Sequence, residues 1–230
     1  MNAQTFVMPR EARDAPMTEI RAHLPRRAGA GWSRAKRAED ILLATLALVA
    51  FSLPMLLIAL AIRLDSRGPI LFRQTRTGRH ERSFEMLKFR TMHHELQDLE
   101  AAQQTTRDDQ RVTRLGALLR RTSLDELPQL FNVLRGDMAL VGPRPHAPGT
   151  RAAGRLFHEV VPHYAARHRV RPGLTGLAQV RGLRGETDTE EKLELRVESD
   201  LEYIERWSVA LDLLIVLRTA IAVLRMKNAY

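Results

Sequence analysis

The stretch "ILLATLALVAFSLPMLLIALAI", residues 41–62, decides the fold of this chain, because its 22 residues include no charged side chain. As one straight helix it would be about 33 Å long, at roughly 1.5 Å per residue. That length is enough to cross a hydrocarbon core of about 30 Å. The sequence therefore predicts a membrane segment.

Pro54 divides this segment. An interior proline removes the hydrogen bond to the carbonyl of Ala50 and bends a helix, and Ser52 can satisfy freed backbone groups. The two arms would be about 20 and 13 Å long, so neither spans alone. Six basic residues between positions 21 and 37 precede the segment and six between 63 and 82 follow it. This symmetry favours a segment that enters the membrane and returns, with both ends on the cytoplasmic side.

A proline-kinked, single-pass helix is the alternative. It is much the commoner structure in proteins generally, and periodicity alone places it ahead of re-entry. The two topologies differ in whether residues on either side of the segment face the same compartment. The sequence pattern by itself therefore leaves both open.

Three regions follow from this segment. Residues 1–32 contain scattered prolines, glycines and arginines without a sustained apolar period, which predicts a flexible N-terminal arm. The arm lacks the early apolar run of a secretory signal, so we do not expect cleavage. Residues 33–63 are expected to form the membrane helix. Residues 64–230 are expected to form one domain, a size that can bury a core.

The expected fold class is α+β and mainly helical. "GPILFRQTRTGRHERSFEMLKFRTM", residues 68–92, alternates apolar and polar residues around Thr77-Gly78-Arg79, which predicts a β-hairpin. Helices are expected through residues 112–119 and 127–134, and a short strand at 138–141. A later helical stripe consists of four apolar residues spaced for one face, Leu193, Val197, Leu201 and Ile204.

The last long apolar stretch, "WSVALDLLIVLRTAIAVLRMK", carries four charged residues at wide intervals. This pattern predicts an amphipathic helix in the membrane interface, with Trp207 and Tyr230 at the level of the lipid headgroups. A buried core helix is nearly as consistent with the pattern. Both interpretations place the helix against an apolar environment.

Composition limits the chemistry. The formal net charge is +9, and only four of the 36 basic residues are lysines. An arginine-rich chain attracts phosphates, whether of nucleic acid, lipid headgroups or a nucleotide. The chain has no cysteine, which excludes disulfides, thiolate metal sites and cysteine nucleophiles.

The acidic pair Asp125-Glu126 lies in "LRRTSLDELPQLFNVLRGD", residues 119–137. The simple interpretation is a capping box between Ser123 and Glu126, with Asp125 complementing the helix dipole. Pro128 argues for a turn as much as a helix, because it cannot donate to the carbonyl at position 124. A carboxylate held in such a turn can act as an oxygen nucleophile toward phosphorus, and its neighbour can hold Mg²⁺ or handle a proton.

Four basic residues could hold phosphate oxygens near this pair. Lys88 and Arg90 are two positions apart on the expected strand and would point to one face. Arg120 precedes the pair, and Arg144 lies in the rigid loop at 142–145 between two prolines. Each alone is more often a solvated surface cation. Thr187 and Glu190 form a second candidate capping box, and the histidines show no spacing typical of a transition-metal site.

The chain resembles a known family from about residue 34 to its end. The motifs that carry the resemblance are "KRAEDILLATLALVAFSLPMLLIALAIRLDSRGPILFRQTRTGR", "FEMLKFRTM", "RRTSLDELPQLFNVLRGDMALVGPRP", "RPGLTGLAQVRG" and "WSVALDLLIVLRTAIAVLRMKNAY". They are similar, in order, to the catalytic region of bacterial sugar transferases, the monotopic phosphoglycosyl transferases. The resemblance implies a re-entrant helix whose break lies at Ser52 and Pro54. In this chain Leu53 lies between the serine and the proline.

The same resemblance implies a catalytic dyad of Asp125 and Glu126, dependence on Mg²⁺ at these two residues, and a covalent phosphosugar intermediate. The matching phosphate contacts are Lys88, Arg90, Arg120 and Arg144. Asp125 would attack a UDP-sugar and release UMP, and undecaprenyl phosphate would take the sugar phosphate. Glucose or galactose is the sugar expected from the C-terminal motifs.

The resemblance also implies that residues 33–63 form the re-entrant membrane helix and that residues 64–230 form a catalytic domain at the cytoplasmic face. It places the enzyme at the cytoplasmic face of the inner membrane, in contact with membrane lipid, at the first membrane step of exopolysaccharide, capsule or O-antigen synthesis. The sequence leaves the oligomeric state open, a homo-oligomer included. No nucleic-acid partner is expected, since the chain has few aromatic residues for base stacking.

Two rival functions stay open from the residues alone. The first is a non-enzymatic, membrane-anchored basic protein that binds nucleic acid or acidic lipid, which predicts scattered and interchangeable arginines. The second is a glycosyltransferase that moves the sugar without its phosphate. The released nucleotide separates this second rival from phosphosugar transfer, because it would be UDP instead of UMP.

Overall fold

A computed structural model of the protein describes residues 30–98, 109–183, 185, 187 and 189–224. Residues 1–29 of the predicted arm, and Tyr230, lie outside the described residues. The described helices are α1 (Ala30–Asp65), α2 (Arg114–Thr122), α3 (Gln129–Arg135), α4 (Phe157–Val160), α5 (Leu177–Val180), α6 (Glu190–Arg206) and α7 (Val209–Leu224). The described strands are β1 (Leu71–Thr77), β2 (Ser83–Phe89), β3 (Ala139–Val141), β4 (Arg151–Ala152), β5 (Arg155–Leu156) and β6 (Gly173–Thr175).

The protein is therefore mixed helix and strand, with an apolar N-terminal helix and small β-hairpins. Strands β1 and β2 pair antiparallel from Leu71 opposite Phe89 to Thr77 opposite Ser83, which confirms the predicted hairpin. Strand β3 pairs with β6 in parallel, and β4 with β5 antiparallel. The helices predicted on either side of the acidic pair are present as α2 and α3, with their starts shifted by about two residues.

Helix α1 is continuous over 36 residues, with Pro54 inside it. The expected division into two separate helices is therefore not seen. The hydroxyl of Ser52 donates to the carbonyl of Val49 at 2.8 Å, one turn before the proline. Among the described residues, α1 is the one helix long and apolar enough to cross a membrane. Its large side chains are exposed, for example Val49 at 70% and Leu56 at 66%.

Both ends of α1 are attached to the rest of the domain. Near its start, the buried ammonium of Lys36 lies 2.7 Å from the carboxylates of Asp40 and Asp212. Asp40 also accepts a hydrogen bond from the backbone amide of Leu140, and this bond connects α1 to β3. Three segments far apart in the sequence therefore share one buried ionic cluster. The exposed middle of α1 extends from this anchored base.

Helix α7 packs against this cluster through Asp212. That carboxylate accepts hydrogen bonds from Tyr203 and from the indole of Trp207 at 2.9 and 3.0 Å. The indole N–H that we expected at the headgroup level thus has a protein partner. Helix α7 buries Ile215 and exposes Leu217, so its two faces differ.

The core of the domain forms around α6. The predicted apolar stripe at Leu193, Val197, Leu201 and Ile204 is buried and packs with β3, α4 and α7, which confirms that expectation. A second cluster joins α1 to the hairpin and α3, through Ala44, Met86 and Val133. The hairpin therefore packs against α3 and against the turn that carries the acidic pair.

Arg90 caps the end of α1. Its guanidinium is 2% exposed and donates to the carbonyls of Ile62, Ser66 and Arg67 at 3.3, 2.7 and 2.7 Å. Carbonyls at a helix C-terminus have no partner inside the helix, and a cation there also complements the helix dipole. Arg90 follows β2 directly, so this cap fastens α1 to the strand that carries Lys88.

Replacing Arg90 with methionine should lower the free energy of unfolding by about 2 kcal/mol, because buried carbonyls at the helix end lose a charged donor. Denaturation in detergent micelles measures the change. Arg63→Met is the matched control, since Arg63 is exposed and makes one long hydrogen bond of 3.4 Å at the same helix end. Equal losses for the two variants would contradict the capping role.

Candidate active site

The acidic pair lies on a 3-10 turn, Leu124–Glu126, between α2 and α3. Ser123 ends α2 with φ at 60°, a left-handed conformation that lets the chain reverse direction. Pro128 then begins α3, where a missing N–H costs nothing. The chain therefore presents two adjacent carboxylates on a short, rigid turn between two helices.

The capping-box interpretation of Ser123 and Glu126 is wrong. Ser123 makes no side-chain capping hydrogen bond at this turn, because its left-handed backbone belongs to the end of the preceding helix. The carboxylate of Glu126 instead accepts hydrogen bonds from Lys88 at 3.1 Å and from Arg144 at 2.5 and 3.2 Å. Glu126 thus joins the hairpin to the loop after β3.

Asp125 lies at the wall of a cavity of about 240 Å³ and is 6% exposed. Its nearest cation is Lys88, whose Nζ lies 4.0 Å from Oδ2 of Asp125. Arg120 and Arg144 line the same cavity, and the guanidinium of Arg120 is held by the hydroxyl of Thr91 at 2.9 Å. Five of the six residues expected to form the site therefore line one cavity: Lys88, Arg120, Asp125, Glu126 and Arg144.

Burial controls the protonation of Asp125. Removal from water raises the pKa of Asp125 to about 6, and the neighbouring charge of Glu126 also raises it. Lys88, Arg120 and Arg144 act in the opposite direction. The pKa of Lys88 is lowered by its own burial. The carboxylate is thus ionised near neutral pH but loses its charge in mildly acidic solution.

Arg90 does not share this cavity with Lys88, which corrects the expectation of a common face. Strand β2 ends at Phe89, so the alternation that would have aligned positions 88 and 90 stops between them. The guanidinium of Arg90 turns to the end of α1 instead. Its expected role as a phosphate contact has no support from this placement.

Several cavity residues were missed from the sequence. Arg76 is one, and strand pairing could have found it, because Phe72, Gln74 and Arg76 lie on the face of the hairpin that carries Lys88. Arg76 donates to Gln74, and burial together with the charge of Arg144 lowers the pKa of Arg76 to about 10. Other missed residues of the cavity wall are Arg111, His146, Thr187 and Arg196. No local pattern marks these four.

The second predicted capping box, at Thr187 and Glu190, is also wrong. Helix α6 begins at Glu190, and its cap is Thr189, whose hydroxyl accepts from the amide of Lys192 at 3.3 Å. Thr187 is instead buried in the cavity wall. Thr189 therefore caps the helix, and Thr187, two residues earlier, belongs to the cavity wall.

His146 lies in the cavity wall and is neutral. Burial and the surrounding arginines hold the pKa of His146 well below its usual range. Its Nδ1 lies 2.7 Å from Arg167 Nη1 and 2.6 Å from the hydroxyl of Tyr164. Arginines face both ring nitrogens, since Arg196 Nη1 lies 3.4 Å from Nε2. An arginine can only donate, so the shorter contact, at Nδ1, identifies the accepting nitrogen and places the ring proton on Nε2. No motif in the sequence marks this histidine as a neighbour of the site.

Asp125 and Glu126 have the chemistry to hold a hard divalent cation. Mg²⁺ prefers oxygen ligands and is held by one or two carboxylates together with substrate phosphates. The described residues contain no group of three or more acidic, histidine or cysteine side chains that could hold a metal ion by themselves. The raised pKa of Asp125 indicates that its three cations do not fully compensate its burial. The pair therefore fits a cation that brings phosphate ligands with it.

A buried aspartate and a half-buried glutamate lie among cations, on a turn that packs against an exposed apolar helix. This is the arrangement expected of an enzyme that works on phosphates beside lipid. Residues 32–226 match the family described as bacterial sugar transferase. The chain belongs to this family of enzymes, and the resemblance seen in its motifs is confirmed.

Relatives with assigned names agree. The chain is 55% identical over 195 residues to the undecaprenyl-phosphate glucose phosphotransferase of Komagataeibacter xylinus, covering 85% of this chain and 37% of that protein. It is 53% identical to the UDP-glucose:undecaprenyl-phosphate glucose-1-phosphate transferase of Caulobacter vibrioides, covering 85% and 72%. It is 50% identical to the exopolysaccharide production protein PSS of Rhizobium leguminosarum bv. phaseoli, covering 81% and 94%. The chain thus spans little more than a third of the first of these relatives and most of the other two.

Proposed function

We propose that this protein transfers a hexose 1-phosphate from a UDP-sugar to undecaprenyl phosphate and releases UMP. The observation that carries the proposal is the burial of Asp125 in a cavity that it shares with Glu126, Lys88, Arg120 and Arg144. The names of the relatives supply the substrate class, since two of them name undecaprenyl phosphate and glucose. Together they support a phosphosugar transfer instead of binding alone.

In the first step, an oxygen of the Asp125 carboxylate attacks the β-phosphorus of the UDP-sugar. A bond forms between Asp125 and phosphorus, and the bond from that phosphorus to the oxygen of the UMP phosphate breaks. UMP leaves with that oxygen. The hexose phosphate remains on Asp125 as an acyl phosphate, a covalent intermediate that divides one difficult transfer into two.

In the second step, a phosphate oxygen of undecaprenyl phosphate attacks the same phosphorus. The bond between phosphorus and Asp125 breaks, the carboxylate is restored, and the product is a lipid diphosphosugar. Lys88, Arg120 and Arg144 line the cavity and would stabilise negative charge on the transferring phosphoryl group. Arg76, on the same hairpin face, adds a fourth cation to this set.

Asp125 and Glu126 are the residues that would hold Mg²⁺, and the metal ion would supply charge neutralisation on the diphosphate. Glu126 has a second feature, since its two oxygens are bonded to Lys88 and Arg144. We therefore assign Glu126 two functions in the resting site, to orient both cations and to add a carboxylate ligand. The protein itself provides the positive charge that lets two acids approach an anionic substrate.

The membrane arrangement is part of the proposal. Helix α1 would enter the inner membrane from the cytoplasmic face and return, so that the cavity lies beside the lipid surface where undecaprenyl phosphate is found. The exposed apolar side chains of α1 fit contact with lipid, and Ser52 and Pro54 lie near the middle of its uncharged stretch, residues 41–62. Re-entry requires α1, which is continuous through Pro54 in the structure, to bend at this point. Helix α7, with Leu217 exposed, would lie in the interface.

A panel of UDP-hexoses and N-acetylated UDP-sugars, incubated with undecaprenyl phosphate, tests the function. We expect UMP with UDP-glucose or UDP-galactose and a lipid product that retains one sugar. Release of UDP would show transfer of the sugar without its phosphate. Binding of acidic lipid without any nucleotide release would favour the non-enzymatic alternative. Transfer of the hexose phosphate to undecaprenyl phosphate would be the first membrane step in the synthesis of an exopolysaccharide, a capsule or an O-antigen.

Cysteine labelling tests the topology, and the chain has no native cysteine to interfere. Ala35 and Arg67 lie at exposed positions near the two ends of α1, whereas Lys36 is buried and unsuitable. Ala35→Cys and Arg67→Cys should both react with an impermeant thiol reagent applied from the cytoplasmic side only. Reaction of the two positions from opposite sides would establish a spanning helix and contradict re-entry.

A further inference from the structure

A buried arginine, Arg167, contacts a buried aspartate, the backbone of the cavity loop and two aromatic side chains. Arg167 is 1% exposed and donates to Asp200 Oδ2 from Nε at 3.0 Å and from Nη2 at 2.5 Å. Nη2 also donates to the backbone carbonyl of Arg144 at 2.7 Å. Nη1 lies 3.0 Å from the hydroxyl of Tyr164 and 2.7 Å from His146 Nδ1.

This pair connects the core helix with a loop of the active site. Asp200 lies on α6, is 2% exposed, and belongs to the helix that carries the apolar stripe of the core. Arg144 and His146 lie on the loop after β3 and line the cavity. Both charges of the pair are buried, so losing either partner would leave a costly unpaired charge. Such a pair holds a definite geometry.

The loop needs a fixed geometry because of what Arg144 does. Its guanidinium reaches Glu126 while the side chain is still 27% exposed, and it has two prolines as neighbours. The ends of the loop are held by backbone bonds, from Gly142 to Thr175 and from Thr77 to the carbonyl of His146. The carbonyl of Arg144 lies between these two points, and its hydrogen bond comes from Arg167.

We propose that Arg167 and Asp200 form a positioning pair for the reaction: they hold the backbone at Arg144, so that its guanidinium stays on Glu126 beside Asp125. The guanidinium of Arg167 also orients His146 in the cavity wall, through its contact with Nδ1 of that histidine. The pair touches no reacting atom and acts through Arg144. This role rests on the proposed function, since it assigns a purpose to the site's own geometry.

Arg167→Lys tests the proposal with the buried charge retained. A lysine still pairs with Asp200, but one ammonium cannot reproduce the planar fork that contacts Asp200, Arg144 and His146 together. We expect kcat/KM for UMP release to fall about 10- to 100-fold, because small misplacement of a catalytic group costs this much. Asp200→Glu keeps both charges, shifts the guanidinium by one methylene, and should act in the same direction.

Glu202→Gln is the matched control. Glu202 lies on the same helix, is 3% exposed, and is paired with Arg181 and Arg206 at 2.6 and 3.0 Å. Among the described residues its hydrogen bonds go to Arg181 and Arg206, and none goes to the loop that carries Arg144. We expect this variant to lose some stability, because a buried carboxylate loses its charge-assisted bonds, and to keep kcat/KM within about twofold, because the contacts of Arg144 stay in place.

A double-mutant cycle separates positioning from loss of structure. If Arg167 acts through Arg144, the double variant Arg144→Met/Arg167→Lys should be no slower than Arg144→Met alone. Losses that multiply in the double variant would overturn the proposal.

Hydrogen exchange tests the geometry without any turnover. Amide exchange over residues 142–147 should rise in Arg167→Lys and stay unchanged in Glu202→Gln. Unchanged exchange in Arg167→Lys would overturn the positioning role even if the protein is active. If the unaltered protein released no UMP from any UDP-hexose, the proposed function would fail, and the exchange experiment would still decide whether the pair holds the loop.

Discussion

Asp125→Asn should lower UMP release by at least about 10⁴-fold, the scale of losing a covalent nucleophile. An amide matches the carboxylate in shape but cannot form the acyl phosphate. The fold should be retained, because burial raises the pKa of Asp125 to about 6 and the folded state therefore disfavours its charge. Between the unfolded value of about 4 and this raised value, stability falls as pH rises, so a neutral side chain at pH 7 removes a cost.

Single-turnover chemistry gives the sharper measurement. Without undecaprenyl phosphate, the unaltered protein should release one UMP per active site and then stop, and the peptide that contains Asp125 should gain a hexose phosphate. Asp125→Asn should show neither. Asp137→Asn is the control, since Asp137 lies outside the cavity and bonds to Asn132. Near-normal release by Asp125→Asn would make the nucleophile assignment wrong.

Lys88→Met should lower kcat/KM by about 10²- to 10³-fold, because Lys88 is the nearest cation to Asp125 and contacts Glu126 as well. The charge of Lys88 lowers the pKa of Asp125 more than the charge of Arg120 or the charge of Arg144 does. Activity requires the ionised carboxylate, so activity of the unaltered protein should decline as pH falls through about 6. Loss of Lys88 should move this acid limb to higher pH.

The pH profile of kcat/KM measures both effects, because it reports the ionisations of the free enzyme. Lys88→Arg keeps the positive charge and should leave the acid limb close to that of the unaltered protein, while the different geometry of the guanidinium slows the reaction. Arg73→Met is a neutral control on the adjacent strand, where Arg73 forms an exposed pair with Glu85. If the acid limb of Lys88→Met stayed in place, the titrating group would not be Asp125.

Much of the local structure could be predicted from the sequence. The hairpin, the stripe of α6 and the helices around the acidic pair follow from side-chain periodicity, which depends on neighbours a few residues apart. The two predicted capping boxes were wrong because a short local pattern does not determine where a helix begins. Many short segments match a serine or threonine followed by glutamate, and the backbone angle at Ser123 is set by how α2 must end before α3 can begin.

Composition and spacing show an uncharged apolar segment, and they show two adjacent acids, Asp125 and Glu126, close behind a pair of arginines in a basic protein. The resemblance to a family rests instead on the long motifs that run from the apolar segment to the C-terminal stretch. Tertiary structure decided which cations reach the acids. Lys88 and Arg144 are 38 and 18 residues from Glu126, and each contacts it, whereas Arg90 is bonded to the end of α1.

Tertiary structure also decided the chemistry of the site. The raised pKa of Asp125, the neutral state of His146 and the burial of Arg167 against Asp200 all depend on removal from water by segments distant in the chain. A carboxylate's sequence neighbours do not set its solvation, since burial is a sum over everything that packs around it. The residues that could react are therefore visible in the sequence, and their reactivity arises only in the folded protein.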